Sequence, residues 1–276
     1  MRVDLHLHSD TSDGVFPPAI VARRLAGAGV ELGALTDHDT TAGWEAFAEA
    51  ARAAHVEPVC GIELTCRVRS GPQGTVHVLG YGIDPASPPL QALAAANRAA
   101  KRAQVEAILQ DLAAEGVRLS WEEVSRGLGP DAYVGRNHVA AALLRRGVVK
   151  TRRKAFRRYL QNARVPDAEV ADAGEGVAAI HEAGGISVLA HPTRLDLEHH
   201  LGALVRAGLR GIEVYRPRAV GSLLARVEAA ATRRGLLASA GSDWHGHPTD
   251  PQLGQWKAPR EPLRPLVAAL GLTPSS

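Results

Sequence analysis

The feature that most constrains this 276-residue chain is an alternation. Short apolar runs at 3–7, 32–36, 58–64, 76–81, 186–190, 211–215 and 236–240 are separated, for the most part, by alanine-rich segments of helical spacing at 17–28, 42–54, 174–183, 197–207 and 221–234. A strand followed by a helical crossover brings the next strand back in the same direction, so the repetition predicts an α/β protein with a parallel sheet. Seven such strands in a chain of this length favour a (β/α) barrel over a doubly wound sheet.

The alternation stops in the middle. From 88 to 165 the sequence has helical periodicity and no strand: a long amphipathic pattern over 90–115, a capping-box signal at Ser120-Trp-Glu-Glu123, and further helices over 136–145 and 151–160. This segment reads as a helical insertion, a substrate cap, hung on a barrel formed by 1–87 and 166–276. The Pro-rich tail after Pro259 reads as a frayed end with one helix.

Composition excludes several classes. The hydrophobic fraction of 45% and the charged fraction of 22% are those of a globular chain. No stretch approaches the roughly eighteen uninterrupted apolar residues of a membrane span, and the opening Met-Arg-Val-Asp-Leu-His lacks a signal-peptide pattern, so a cytoplasmic location is expected. Cys60 and Cys66 are too few for a structural zinc site and read as buried thiols. The net charge of +3 is mild, but 145–158 reads RRGVVKTRRKAFRR, eight Lys or Arg without an acid. Such a run is either a solvated helix face or a phosphate-binding surface.

Histidine is over-represented: 12 residues, more than the 3 Phe, 4 Trp and 4 Tyr taken together. His6 and His8 lie two apart on the first strand and so point the same way, with Asp13 in the loop that follows. The second strand ends Thr36-Asp37-His38-Asp39, the third ends Gly61-Ile62-Glu63, the fourth carries His77, the fifth ends Ala190-His191-Pro192, and the last runs into Gly241-Ser242-Asp243-Trp244-His245. In a parallel barrel these ends converge on the face where active sites are built. Any one of these histidines reads as an ordinary hydrogen-bonded residue. Six of them with three acids at successive strand ends point to a metal cluster. Imidazole and carboxylate donors suit Zn, Mn or Fe, and more than four in one place imply at least two ions, with Glu63 the candidate bridge.

Taken together, DLHLHSDTSDG, LTDHDT, GIE, VHVLGYG, LAHP, GIEVY and GSDWHG closely resemble the polymerase and histidinol phosphatase (PHP) family of metal-dependent phosphoesterases, over the whole chain. The resemblance implies a distorted (β/α)7 barrel of the TIM type and three metals. His6, His8, Glu63 and Asp243 would hold the first, Glu63, His77 and His191 the second, and Asp13, His38 and His245 the third. Two to three divalent ions are thus expected, manganese foremost, with iron, zinc or magnesium as alternatives. His38, Glu63 and His191 become catalytic by this implication. Asp37 joins them by orienting a ligand or the attacking water, whereas Asp39 and His247 read as structural or solvated.

The chemistry expected of such a cluster is hydrolysis. Metals neutralise phosphoester oxygens, acidify water and stabilise the leaving alkoxide, so a hydroxide bridging two ions would attack phosphorus in line without a protein nucleophile. There is no G-x-S-x-G elbow, Walker A or G-x-G-x-x-G loop to suggest acyl transfer, ATP hydrolysis or hydride transfer. Arg98 and Arg102, four apart on the long helix, share a face that would grip a phosphate. Gly135-Arg-Asn-His138 resembles the family's Gly-Arg-x-His segment, which would aim Arg136 and His138 at the site; for each arginine a salt bridge is the competing reading.

The pattern most resembles the subgroup that dephosphorylates nucleoside 3′,5′-bisphosphates and trims short oligonucleotides. The expected partner is therefore a small phosphorylated substrate such as a nucleotide, or a short single strand, with no membrane involved. A histidinol-phosphate-type phosphatase and a non-catalytic nucleic-acid-binding or metal-sensing module are the alternatives. Two departures would alter the rim of the site. Relatives commonly read Glu-Val-Tyr-His-Pro-x-His where this chain has Glu213-Val-Tyr-Arg-Pro-Arg218, and Val165-Pro-Asp-Ala-Glu-Val170 replaces a usual Tyr-Val-Pro segment.

Overall fold

The computed structural model describes residues 2–129, 132–161, 168–217, 219–255 and 258–272. Arg218 and the first part of the Val165 segment, with the expected end of the insertion at 165, lie outside the described residues. In chain order the elements are β1 (Val3–Leu7), α1 (Pro18–Gly27), β2 (Leu32–Leu35), α2 (Trp44–Ala53), β3 (Glu57–Val68), β4 (Gly74–Tyr81), α3 (Pro88–Ala114), α4 (Trp121–Val124), α5 (Arg136–Arg145) and α6 (Arg152–Arg158). They continue with α7 (Ala173–Glu182), β5 (Ile186–Leu189), a π-helical turn (Asp196–His200) leading into α8 (Leu201–Arg206), β6 (Gly211–Tyr215), α9 (Gly221–Arg234), β7 (Leu237–Ala240) and α10 (Arg260–Ala269).

The strands lie side by side in chain order in one seven-stranded sheet. β1, β2, β5 and β6 are buried at every position, as expected of strands covered on both faces. The first and last strands are tied at the ends that carry the histidines. Leu7 bridges to Trp244, and the His8 and Asp243 amides donate to the Trp244 and His6 carbonyls at 2.9 and 3.0 Å.

The sheet is not uniformly parallel. β1–β2–β3 and β5–β6–β7 are, but β4 runs antiparallel to both β3 and β5. Only 69–73 joins β3 to β4, with Gly71 at φ +77°, and so short a link closes a hairpin rather than a crossover. The reversal has a functional result. His77, near the start of β4, pairs with Thr65 beyond Glu63 on β3, and so reaches the end of the sheet where the other strands finish.

The long helix α3 joins two cores. Leu90 and Ala94 in its first turns pack into the main core of strands and outer helices, whereas Val105, Ile108 and Leu112 belong to a second core with Val124, Val139, Leu143, Ala155 and Leu160. At the junction the fully buried Asn97 amide donates to Asp39 Oδ1 (2.7 Å) and the Thr65 carbonyl (2.8 Å) while accepting from the Ala171 amide (2.9 Å). Every polar atom of that side chain is engaged, which welds the helical segment to β3 and to the loop after β2.

The tail differs from expectation. α10 is no frayed end: Leu263, Leu266 and Val267 are buried in the main core, at the i, i+3, i+4 spacing of a helix with one apolar face. Leu266→Ala should therefore cost about 3 kcal/mol of unfolding free energy, read as a drop in the urea midpoint; a change within error would mean that α10 is not part of the cooperative core.

Candidate metal centre

Glu63 occupies the middle of the site. It is fully buried in β3, and its carboxylate meets five imidazoles: His38 Nδ1 at 2.9 Å, His77 Nδ1 at 2.9 Å, His191 Nε2 at 3.0 Å, and the Nε2 atoms of His6 and His8 at 3.3 Å each. Asp13 Oδ1 lies 3.2 Å from His245, 3.8 Å from His38 and 3.9 Å from His8. Asp243 Oδ1 lies 3.4, 3.6 and 3.7 Å from His8, His6 and His245. All nine ligand positions expected from the sequence thus converge in one cluster.

Three groupings within it could each hold a cation with ligand atoms no more than 4.8 Å apart: His8, Asp13, His38 and His245; His6, His8 and Asp243; His38, Glu63 and His77. They overlap the division implied by the family resemblance without reproducing it: Glu63 joins only the group of His38 and His77, His191 enters none of the three, and His8 and His38 are each shared by two groups. The donor set fits divalent metals. His6 Nε2, both nitrogens of His8, His38 Nδ1, Asp13 Oδ1 and Glu63 Oε2 are buried without a formed hydrogen bond, an arrangement that is costly unless a cation satisfies them.

Charge is distributed unequally across these groups. Burial alone would raise the Glu63 carboxyl, but the positive charge on His38 and His6 and a hydrogen bond from His191 hold it well below the usual range. Asp13 is likewise held down against burial by His245 and His38. Burial lowers every imidazole; the neighbouring acids outweigh it at His38, pushed up to about 9, and at His245, pushed up to about 10. At His8 burial and the charge on His245 win, giving about 3, and at His77 burial gives about 4.

The backbone is shaped for this convergence. Asp39, His191 and Asp243 have φ of +48°, +28° and +55°, a region that residues with a Cβ enter at a cost and that concentrates at functional sites. Gly14 is needed because a Cβ there would lie 2.6 Å from the His8 carbonyl oxygen, closing the tight loop that returns Asp13 beneath His8. Gly241 is needed because a Cβ would lie 2.2 Å from His6 Cβ and 2.8 Å from Glu213 Oε1.

Asp37 contacts none of the imidazoles. Its carboxylate accepts the Ser9 amide (2.8 Å), the Ser9 hydroxyl (2.6 Å) and the Ser12 hydroxyl (2.5 Å), so it fixes the loop on which Asp13 stands. Arg98 and Arg102 do not form a joint clamp: Arg98 donates to the Asp39 carbonyl at 2.6 Å, while Arg102 pairs with Glu106 and lies 4.4 Å over the Trp121 ring. His138 accepts the Gly135 amide through Nδ1 at 3.1 Å and so caps α5. Arg136 beside it is half-buried, and burial pushes its guanidinium down. His247 stacks against His245 with ring centroids 6.1 Å apart.

Four residues at the site were given no role from the sequence. Glu213, fully buried in β6, accepts from His6 Nδ1 at 3.0 Å and from the His191 amide at 2.7 Å; an acid inside the otherwise apolar strand Gly211–Tyr215 was its signal. Asn137 donates to Asp13 Oδ2 at 2.6 Å. Tyr133 is buried with its ring 5.0 Å from His38. Lys101 is 7% exposed, with burial lowering its ammonium against the opposing pull of Asp39 and Asp13. Its signal was periodicity: Leu90, Ala94, Asn97, Lys101, Val105, Ile108 and Leu112 form the buried stripe of α3.

The basic run is resolved as the wall of a groove. Lys150, Arg152, Arg153, Lys154 and Arg157 line a space of about 1180 Å3 with Asn137 and the loop from His247 to Asp250, and this space opens on Asp243 and His245. Burial pushes the Arg152 guanidinium down while Asp13 and Asp250 act against it.

Among the described residues no helix is long and apolar enough to cross a membrane. The PHP domain model matches residues 4–163. The chain is 35% identical to a 3′,5′-nucleoside bisphosphate phosphatase of Chromobacterium violaceum, over 88% of this chain and 87% of that one. It is 34% identical to a phosphoribosyl 1,2-cyclic phosphate 1,2-diphosphodiesterase of Eggerthella lenta, over 89% and 95%. Among solved structures, an amidohydrolase from Chromobacterium violaceum with bound sulfate and no metal superposes with a TM-score of 0.88 at 32% identity, covering 98% of this chain and 96% of that one. With the family model spanning more than half of its length and its ligand motifs gathered into one cluster, this chain belongs to the PHP domain family.

Proposed function

We propose that this protein is a metal-dependent phosphoesterase that hydrolyses phosphoesters of small nucleotides, with nucleoside 3′,5′-bisphosphates or short oligonucleotides as its substrate class. The observation that carries the reading is the continuity between the imidazole and carboxylate cluster and the basic groove at Asp243 and His245. One part of the site suits cations and the other suits an anionic ligand of nucleotide size. The named relatives act on a nucleoside bisphosphate and on a cyclic sugar phosphate, which supports phosphorus-oxygen chemistry.

His6, His8, Glu63 and Asp243 would hold one ion, Glu63, His77 and His191 a second, and Asp13, His38 and His245 a third, with manganese the first choice. Bound there, divalent ions neutralise phosphoryl oxygens and make water near them acidic. The chain's own residues do the rest. Glu63, central to five imidazoles, keeps the subsites at a fixed separation. His38 and His191 would stand beside the reacting phosphoryl group, and Asp37 holds the Asp13 loop rigid through Ser9 and Ser12. Lys101 and Arg136 present positive charge to the substrate from the helical segment, 88–165, which serves as a cap. Glu213 orients His6 by accepting its Nδ1 proton, leaving Nε2 toward the centre. The two free buried thiols, Cys60 and Cys66, are compatible with work in the cytoplasm.

Phosphate release from adenosine 3′,5′-bisphosphate in the presence of Mn2+ tests the reading, and absence of release from any phosphoester after metal reconstitution overturns it. His38→Ala should lower turnover at least about 100-fold and reduce bound metal in the purified protein; full activity would mean that the ligand assignment is wrong. Glu213→Gln cannot accept from both His6 and the His191 amide, since its amide nitrogen must face one of them. It should weaken metal binding about tenfold in a chelator competition, and wild-type affinity would remove Glu213 from this role. His38 and His245, held near 9 and 10 without metal, carry protons at pH 7.5 that a metal ligand must lose. Titration with Mn2+ in buffers of different ionisation enthalpy should therefore show net proton release, with affinity falling as pH falls; zero release refutes this charge assignment.

A further inference from the structure

A second depression flanks the cluster on the side away from the basic groove. It has a volume of about 250 Å3 and is lined by His191, Thr193, Arg216, Pro217, Ser242 and Asp243. The groove reaches the cluster at Asp243 and His245, the depression at Asp243 and His191. His245 belongs to the Asp13 end of the cluster and His191 to the Glu63 and His77 end, so the two spaces meet over Asp243 from different ends of the centre.

Arg216 gives this depression its chemistry. Its Nη2 donates to the Pro192 carbonyl at 2.9 Å, which fixes the guanidinium against the turn after β5. Its Nε is buried and has no hydrogen-bond partner, and among the described residues no carboxylate forms an ion pair with it. Held by the Pro192 carbonyl and without a carboxylate partner among the described residues, this guanidinium lines a cavity that adjoins the cluster, where its charge can meet an anionic oxygen.

Resting on the phosphoesterase reading above, we infer that the Arg216 depression binds a second phosphoryl group of the substrate, on the far side of the reacting phosphorus from the basic groove. A monoester such as a nucleoside bisphosphate extends from the reacting phosphorus in one direction and needs the groove alone. A phosphodiester extends in two directions and needs both spaces. The substrate class selected by this geometry is a short oligonucleotide, with one nucleotide in the groove and the phosphate of the continuing chain at Arg216. In its hydrolysis the oxygen of one water bonds to phosphorus, the ester bond to one ribose oxygen breaks, and that oxygen leaves with a proton from the water.

The test compares two substrates of the full-length, Mn2+-loaded enzyme: adenosine 3′,5′-bisphosphate and a 5′-phosphorylated triadenylate, with products resolved by chromatography and metal content measured in each protein. In Arg216→Ala the ratio of kcat/KM for the triadenylate to that for the bisphosphate should fall about tenfold or more, mainly through KM, and Arg216→Lys should recover part of it. A ratio within twofold of the unaltered enzyme overturns the inference, as does an equal loss on both substrates, which would make Arg216 a prop for the Pro192 turn. Wild-type enzyme that releases phosphate from the bisphosphate but leaves the triadenylate intact also overturns it and leaves the phosphoesterase reading standing. Wild-type enzyme inactive on every phosphoester overturns that reading itself.

Discussion

A single carboxylate sets the terms for this fold. Glu63 is fully buried and meets five imidazoles from β1 and the residue that follows it, from the loop after β2, from β4 and from the loop after β5. A lone charge at that depth would be very unfavourable. It is tolerated because every surrounding element delivers a group that can carry positive charge or bind a cation beside it. The same condition explains the left-handed backbone at Asp39, His191 and Asp243 and the missing side chain at Gly241, which give the imidazoles room to reach the centre.

The support around the cluster is also polar and buried. Asp37 holds Ser9 and Ser12, Glu213 holds His6 and the His191 amide, Asp4 holds the Ser242 amide at 2.8 Å, and Asn97 holds Asp39, Thr65 and Ala171. Each of these links joins segments far apart in the chain. The helical segment is thereby part of the site's framework: through Asn97, Lys101, Tyr133 and Asn137 it reaches the same end of the sheet as the strand-end ligands. Groups fixed in advance need little reorganisation when an anion arrives, and that is where electrostatic catalysis gains most.

Much of this was legible in the sequence. The seven strand positions, the outer helices and the capped start of α4 all follow from periodicity and capping residues, which are local properties. The nine cluster positions were legible because metal-binding chemistry uses few residue types and the strand ends place them at regular intervals. The reversal of β4 was not, because an apolar strand reads alike in either direction and only the shortness of 69–73 hinted at a hairpin. The packing of α10 was hidden by its prolines, although Leu263, Leu266 and Val267 carried a helical stripe.

The sequence by itself determined which elements form and which side chains can bind metal, since both depend on neighbours within a few positions and on residue chemistry. Only the tertiary structure decided the partners. It sent Arg98 to a carbonyl and Arg102 to Glu106 and Trp121, made Asp37 a loop fastener, brought Glu213 under His6, and turned a basic run into a groove. A long polar side chain can reach many groups from one backbone position. Which one it meets is fixed by how the segments pack, and in the His6–Glu213 pair the partner lies 207 residues away.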